Sequence, residues 1–157
     1  MPFDAPFILG PFAVDARGRL SPRGPTALPG FLFRWRGRVV RARFVQDEAG
    51  QGRLALMAML GRVPSTAGVA DRGMRPTSFQ ILHLLPRVLP GRWRLVLLPD
   101  HRVRLEAEAD ILPATASELL VELTRFLLEL APYLDVLDEA GNAGIEEAVG
   151  SANTRPG

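Results

Sequence analysis

Hydrophobic and polar residues alternate most regularly between Phe31 and Val45, on either side of a Gly37-Arg38 pair. A period of two is typical of strands, and glycine at the first central position suits a two-residue type II′ turn. This register pairs Arg34 with Arg41. It predicts one face made of Phe31, Phe33, Trp35, Val40, Ala42 and Phe44, and an opposite face made of Leu32, Arg34, Arg36, Val39, Arg41 and Arg43.

Three further segments have strand patterns. Arg53 to Leu60 is apolar on both faces, which indicates a central strand or one whose outer face is covered by a partner. Trp93 to Leu98 and Arg102 to Ile111 predict a second hairpin, joined at Pro99-Asp100-His101. Its second strand alternates inward Val103, Leu105, Ala107, Ala109 and Ile111 with outward Arg102, Arg104, Glu106, Glu108 and Asp110.

Helical spacing occurs twice. Pro76-Thr77-Ser78 opens a short predicted helix, and Thr115 with Glu118 matches a capping box at the start of a longer one. Pro132 is expected to bend or end the longer helix. The apolar positions are Phe79, Leu82, Leu85 and Leu89 in the first helix, and Leu119, Leu120, Leu123, Phe126, Leu127 and Leu130 in the second.

Residues 12–30 are expected to form a short strand, a turn at Asp15-Ala16-Arg17-Gly18 and a Pro/Gly-rich loop. The order of elements is therefore strand, hairpin, strand, helix, hairpin and helix. It predicts an α+β fold in which an antiparallel sheet of about five strands has helices packed on one face. Residues 1–11 contain three prolines and are expected to form an extended arm. Residues 12–140 are expected to form a single domain, and the small and polar residues 141–157 a flexible tail.

Charge is strongly segregated along the chain. Residues 1–104 hold 17 arginines and 6 acidic residues, a balance of +11, whereas residues 105–157 hold 2 arginines and 11 acidic residues, a balance of −9. Such segregation indicates that the two parts face each other in the fold, or face a second copy across an interface.

The composition of the chain argues against several classes of site and location. The chain has no cysteine, which excludes disulfides, thiolate metal sites and cysteine nucleophiles. No apolar run approaches the ~20 residues that span a bilayer, and the first residues lack the basic and apolar regions of a signal peptide. We therefore expect no membrane span and a cytoplasmic location.

The sequence contains no recognised catalytic, metal-binding or nucleotide-binding motif. His83 is expected to be a half-buried, hydrogen-bonded side chain of the short helix, and His101 to lie in a hairpin loop. Glu106 and Glu108 share one strand face, but their alternation with arginine is typical of a solvated charge ladder. We therefore predict a binding protein with no enzyme activity and no cofactor.

The predicted arginine face requires negative charge nearby, because like charges that face each other destabilise a sheet by up to ~1 kcal/mol. Either Glu106, Glu108 and Asp110 in the same sheet neutralise it, or an anionic partner does. That partner would be an acidic protein segment or a nucleic-acid backbone. The aromatic side chains of the hairpin point to the other face, which disfavours base stacking beside the arginines.

The element order resembles the type III secretion chaperone-like fold and is similar to the related bacterial proteins of the YbjN type. The resemblance covers residues 12–140, and includes a last strand, Arg102-Val103-Arg104-Leu105-Glu106-Ala107-Glu108, that leads through Leu112-Pro113 to the helix at Thr115. It implies a homodimeric, non-enzymatic module that holds an extended client segment along apolar patches or a sheet edge.

We therefore predict a protein-binding module, chaperone-like or an adaptor, that dimerises and binds another polypeptide. Its candidate contacts are Arg34, Arg36, Arg41, Arg43, Met57 and Met59. One alternative is a nucleic-acid-binding regulator that uses the four arginines. The other is a small-molecule-binding domain in which the long helix closes over a curved sheet, and a large apolar cavity between helix and sheet would favour it.

Overall fold

A computed structural model describes residues 4–24, 29–62 and 83–139. These residues form two antiparallel sheets and a long helix. The smaller sheet has the order β1-β2-β3 and consists of β1 (Phe7–Leu9), β2 (Phe12–Val14) and β3 (Leu20–Pro22). The larger sheet has the order β4-β5-β6-β8-β7 and consists of β4 (Gly30–Trp35), β5 (Arg38–Gln46), β6 (Gly52–Arg62), β7 (Arg94–Leu97) and β8 (Arg102–Glu108).

Helix α1 is described over residues 83–88, and helix α2 spans Ala116–Glu139. The predicted α+β class and the antiparallel sheet of five strands are confirmed. β6 lies at the centre of that sheet, as its apolar pattern predicts. The core forms between one face of the sheet and α2. Its fully buried members include Val40, Leu54, Ala58, Leu105, Leu119, Leu130 and Leu134.

The turn between β4 and β5 differs from the prediction. Its central residues are Arg36 and Gly37, with φ angles of 52° and 73°, and this left-handed pair is typical of a type I′ turn. Arg34 therefore pairs with Val39, and Arg41 lies opposite Leu32. The predicted pairing of Arg34 with Arg41 is wrong by a register shift of two residues. Because the shift is even, the two strand faces are kept.

Helix α2 begins with the predicted capping box. The Glu118 N–H donates to Thr115 Oγ1 at 3.2 Å, and the Thr115 N–H donates to Glu118 Oε2 at 3.2 Å. The helix continues beyond Pro132 to Glu139, so this proline does not end it. Leu120, predicted as a core residue, is 52% exposed, because it lies on the side of α2 away from the sheet.

The smaller sheet is attached to the core and to the start of α2. The ring of Phe12 packs edge-on against the ring of Phe44, with centroids 5.1 Å apart. The Leu20 N–H donates to the Ala114 carbonyl at 2.9 Å, and the Ala116 N–H to the Gly18 carbonyl at 2.8 Å. Part of the arm predicted for residues 1–11 is thus β1, an outer strand of this sheet.

The second predicted hairpin is present as β7 and β8, with the expected alternation of buried and exposed residues on β8. Ile111 was predicted to point inward but is 48% exposed, because it lies beyond the end of β8. The predicted helix start at Pro76-Thr77-Ser78 and the predicted tail at residues 141–157 lie outside the described residues. Among the described helices, none is long and apolar enough to span a membrane.

Candidate functional site: a groove on the outer face of the larger sheet

The face of the larger sheet that points away from α2 carries an open groove of about 350 Å³, called here the outer groove. Strand register places its side chains in two rows. The first row is Arg41, Met57, Glu106 and Arg94, on β5, β6, β8 and β7. The second row is Arg43, Ala55 and Glu108. The remaining lining residues are Leu56, Arg92, Arg104 and Ala107.

Glu106 is held by two arginines of its own hairpin. Its Oε2 accepts a hydrogen bond from Arg94 Nη2 at 3.2 Å, and its Oε1 lies 2.6 Å from Arg104 Nη2. This carboxylate therefore bridges β7 and β8. It pairs with Arg94 and Arg104 and does not neutralise Arg41 and Arg43 of β5.

Glu108 and Asp110, which follow Glu106 along the chain, also pair with arginines. Glu108 Oε2 accepts from Arg53 Nη1 at 2.8 Å, and this hydrogen bond, together with the charge of Glu108, raises the pKa of the Arg53 guanidinium. Asp110 pairs with Arg92 and lies 3.4 Å from Arg125 Nη1. Glu106, Glu108 and Asp110 thus neutralise arginines outside β5, and none of them pairs with the outer arginines of β5.

Arg41 and Arg43 are both exposed, and they form no ion pair within the described residues. Five arginines and two glutamates line the outer groove, so positive charge exceeds negative charge there. In addition, the Nε of Arg104 is buried and has no hydrogen-bond acceptor among the described residues. The groove therefore offers several guanidinium donors to an anionic ligand.

Arg36, predicted on the arginine face, lies instead in the turn and points toward α2. Its Nη2 donates to Asp135 Oδ1 at 2.6 Å and to Asp138 Oδ2 at 3.2 Å, and its Nη1 donates to the Ala131 carbonyl at 3.3 Å. The prediction that Arg36 shares a strand face with Arg41 and Arg43 is wrong. The cause is the turn, whose left-handed residues carry this side chain out of the strand's alternation.

Arg38 occupies an unusual position on the core face of β5. Only 3% of it is exposed; its Nε donates to the Leu60 carbonyl at 3.0 Å, and its Nη2 pairs with Asp138. The sequence places this residue in the turn, and the register shift moves it onto the strand. It ties the sheet to the end of α2 and is not accessible to a ligand.

The structure brings three of the six predicted contacts together in the outer groove, namely Arg41, Arg43 and Met57. Arg34 and Met59 lie on the same sheet face, opposite Val39 and Arg104, but do not line the groove.

Sequence reasoning missed Arg92 and Arg94 as groove residues. A signal for Arg94 is present, since it alternates with inward-facing Trp93 and Leu95 and therefore faces outward. Arg92 lies outside the strand, and the alternation does not place it.

Neither histidine of the chain lines the outer groove. No group of three or more His, Cys, Asp or Glu residues in them could hold a metal ion. His83 is exposed, which corrects its predicted half-buried position, and His101 is exposed in the β7–β8 turn. None of the described residues that line the groove is aromatic. Neither family models, nor curated proteins, nor solved structures give a match to this chain.

Proposed function

We propose that this chain is a non-enzymatic binding module that holds an acidic polypeptide segment in the outer groove. The observation that carries the proposal is the pair Arg41 and Arg43, exposed side by side and without an ion pair in the described residues. Each guanidinium can donate two parallel hydrogen bonds to a carboxylate. Met57 and Ala55 provide apolar surface beside them.

The chemistry of the groove favours a polypeptide over a nucleic acid. Single-stranded nucleic acids are held by arginines together with aromatic side chains on which the bases stack. The aromatic residues of β4, Phe31 and Phe33, pack toward the core, and Trp93 packs on Phe126 with ring centroids 5.2 Å apart.

A small-molecule-binding domain has less support than a peptide-binding module. The cleft between the sheet and α2 that Trp93, Phe126 and Glu122 help to line measures about 50 Å³. Pockets for small organic ligands are usually about 300–1,000 Å³. The buried leucines of β6 and α2 fill the space that such a ligand would need.

The resemblance to the type III secretion chaperone-like fold supports a chaperone-like or adaptor role. In that role the chain would keep an extended segment of another protein bound along its sheet. Four neighbouring strands of the larger sheet line the outer groove, and β5 at one side of it offers Arg41 and Arg43 to an extended ligand that lies along that strand.

Fluorescence anisotropy with two labelled probes tests the proposal. The first probe is a short polyglutamate peptide, and the second is a polythymidine strand of equal length. We expect the peptide to bind and Arg41→Glu/Arg43→Glu to abolish its binding. The control Arg17→Glu/Arg23→Glu reverses two exposed arginines away from the groove and should retain binding. Binding of the oligonucleotide alone, lost in the groove variant, would replace this proposal by the nucleic-acid-binding alternative.

A second observation favours a homodimer. The side of α2 that faces away from the sheet has an outer stripe of uncharged side chains, bordered by Arg125 and Glu129 and consisting of Ser117, Leu120, Val121, Thr124 and Leu128. Its three apolar members, Leu120, Val121 and Leu128, are 52%, 54% and 68% exposed. The solvent-facing side of a helix ordinarily carries charged and polar residues. We propose that the same stripe of a second copy covers it.

The spacing of the stripe suits an antiparallel pair of helices. Leu120 and Leu128 lie four residues before and after Thr124, so a two-fold axis at Thr124 places each leucine opposite the partner's other leucine. A parallel pair would align Asp135 with the partner's Asp135. In the antiparallel pair these two carboxylates are about 33 Å apart, at a rise of 1.5 Å per residue.

Disulfide trapping tests this dimer. Because the chain has no cysteine, Thr124→Cys introduces a single thiol at the proposed axis. We expect oxidation to give a covalent dimer, and Leu128→Asp in the same chain to suppress it. Ser21→Cys, exposed on the smaller sheet, is the matched control and should remain monomeric. Equal trapping of both cysteines, or trapping of neither, would contradict the dimer without affecting the groove.

A further inference from the structure

The outer face of β5 presents a short ordered row of side chains. Val39, Arg41, Arg43 and Val45 follow one another at every second residue, with the two valines half-buried and the two arginines exposed. Alternate residues of a strand lie about 6.7 Å apart along it. The row therefore offers two guanidinium groups at that spacing, flanked at each end by an apolar side chain.

An extended polypeptide has the same repeat as β5. Side chains at i and i+2 of an extended segment project to one side, about 6.7 Å apart, which matches the spacing of Arg41 and Arg43. On a helix, residues i and i+2 project in different directions and cannot reach both arginines together. The spacing thus selects an extended ligand whose acidic residues alternate with other residues.

We infer that the outer face of β5, at one side of the outer groove, recognises an extended segment with the pattern apolar-x-acidic-x-acidic-x-apolar. The two acidic side chains bind Arg41 and Arg43, and the apolar side chains contact Val39 and Val45. The pattern reads the same in both directions, so it holds for either orientation of the segment. This inference rests on the proposed function and specifies the partner of the same groove.

The neighbouring strand supports this placement. Met57 and Ala55 lie opposite Arg41 and Arg43 on β6, so neither arginine faces a charged residue on that strand. The groove's acidic residues, Glu106 and Glu108, are one strand further away and are held by Arg94, Arg104 and Arg53. An acidic segment above β5 is thus separated from the groove's own carboxylates.

Two labelled peptides of identical composition test the inference by fluorescence anisotropy. Within equal glycine-serine flanks, one contains Val-Ser-Glu-Ser-Glu-Ser-Val and the other Val-Ser-Glu-Glu-Ser-Ser-Val. We expect the alternating peptide to bind about tenfold more tightly, because adjacent acids in an extended chain point to opposite sides and one guanidinium loses its carboxylate. Arg43→Ala should remove this preference, whereas Arg17→Ala should preserve it.

The outcomes separate this inference from the proposed function. Equal affinity of the two peptides, with both lost in Arg41→Glu/Arg43→Glu, would overturn the recognition pattern and leave an acid-binding groove. Failure of both peptides and of polyglutamate to bind would overturn the pattern and the groove together. A preference that persists in Arg43→Ala would also contradict the inference, because the second acidic residue would then bind elsewhere.

Discussion

Arg41 and Met57 lie directly opposite each other on β5 and β6, so a charged and an apolar side chain line the outer groove side by side. Their proximity combines two kinds of attraction in one site. The charge of Arg41 is screened by salt, whereas contact with the Met57 side chain is not. The proposed ligand therefore needs both an acidic residue and aliphatic surface.

Met57→Ala is expected to weaken binding of the alternating peptide by about 1 kcal/mol, because part of the apolar contact surface is lost. Anisotropy titrations at low and high salt measure it. The loss should be similar at both salt concentrations, and Met57→Leu should restore most of the affinity. A loss that disappears at high salt would show that Met57 acts through the arginines and not by direct contact.

The β4–β5 turn gives a test of backbone conformation with a matched control. Gly37 has a φ of 73°, whereas Gly91 does not have a left-handed φ, and a Cβ at either residue would meet no atom within 4 Å. Gly37→Ala should therefore lower the free energy of unfolding by about 1 kcal/mol through conformation alone. Gly91→Ala should change it by less than about 0.5 kcal/mol. Urea denaturation measures both, and equal effects would contradict the turn.

The same turn shows where sequence reasoning reaches its limit. Alternation between Phe31 and Phe44 correctly predicts which residues of β4 and β5 share a face. It cannot distinguish two registers that differ by two residues, because both preserve the faces. The sequence therefore predicts an arginine-bearing outer face, but not that Arg36 binds α2 or that Arg38 is buried.

Helix α2 shows a second limit. Its start is predictable, since Thr115 and Glu118 are local signals that the structure confirms. Leu120, however, has the same periodicity as its buried neighbours, because the helix is apolar on nearly all sides. Which side packs on the sheet is decided by tertiary contacts, and these also decide that Glu106 and Glu108 pair away from β5.

The ion pair between Arg38 and Asp138 should contribute more to stability than the neighbouring ion pair between Arg36 and Asp135. Arg38 is almost fully buried, so Asp138→Asn removes a charged partner of its guanidinium and should lower the free energy of unfolding by about 2 kcal/mol. Asp135→Asn is the control, because Asp135 is 60% exposed and pairs with the partly exposed Arg36. It should cost less than about 1 kcal/mol. Equal costs in urea denaturation would contradict the role of Arg38.

Asp100 makes stability depend on pH. Partial desolvation raises its pKa, but the hydrogen bonds from the Arg102 N–H and guanidinium, with the charges of Arg102 and Arg62, outweigh this and lower the pKa below its usual value. A carboxyl group whose pKa is lower in the folded state stabilises the fold above its unfolded pKa. That contribution is lost as the pH falls through the folded pKa.

The stability advantage of the wild type over Asp100→Asn should therefore be complete above pH about 5 and shrink below pH about 4. Thermal unfolding of the two proteins across this range measures it. A difference that stays constant, or grows as the pH falls, would contradict the hydrogen bonds in the β7–β8 turn.

A charge-exchange experiment tests directly whether Arg41 and Arg43 bind an acidic segment. The wild type and Arg41→Glu/Arg43→Glu are each titrated with Val-Ser-Glu-Ser-Glu-Ser-Val and with the matching Val-Ser-Arg-Ser-Arg-Ser-Val, in the same flanks. The wild type should bind the acidic peptide, whereas the variant should lose binding of the acidic peptide and bind the basic one. An unchanged preference for the acidic peptide in the variant would contradict binding through Arg41 and Arg43.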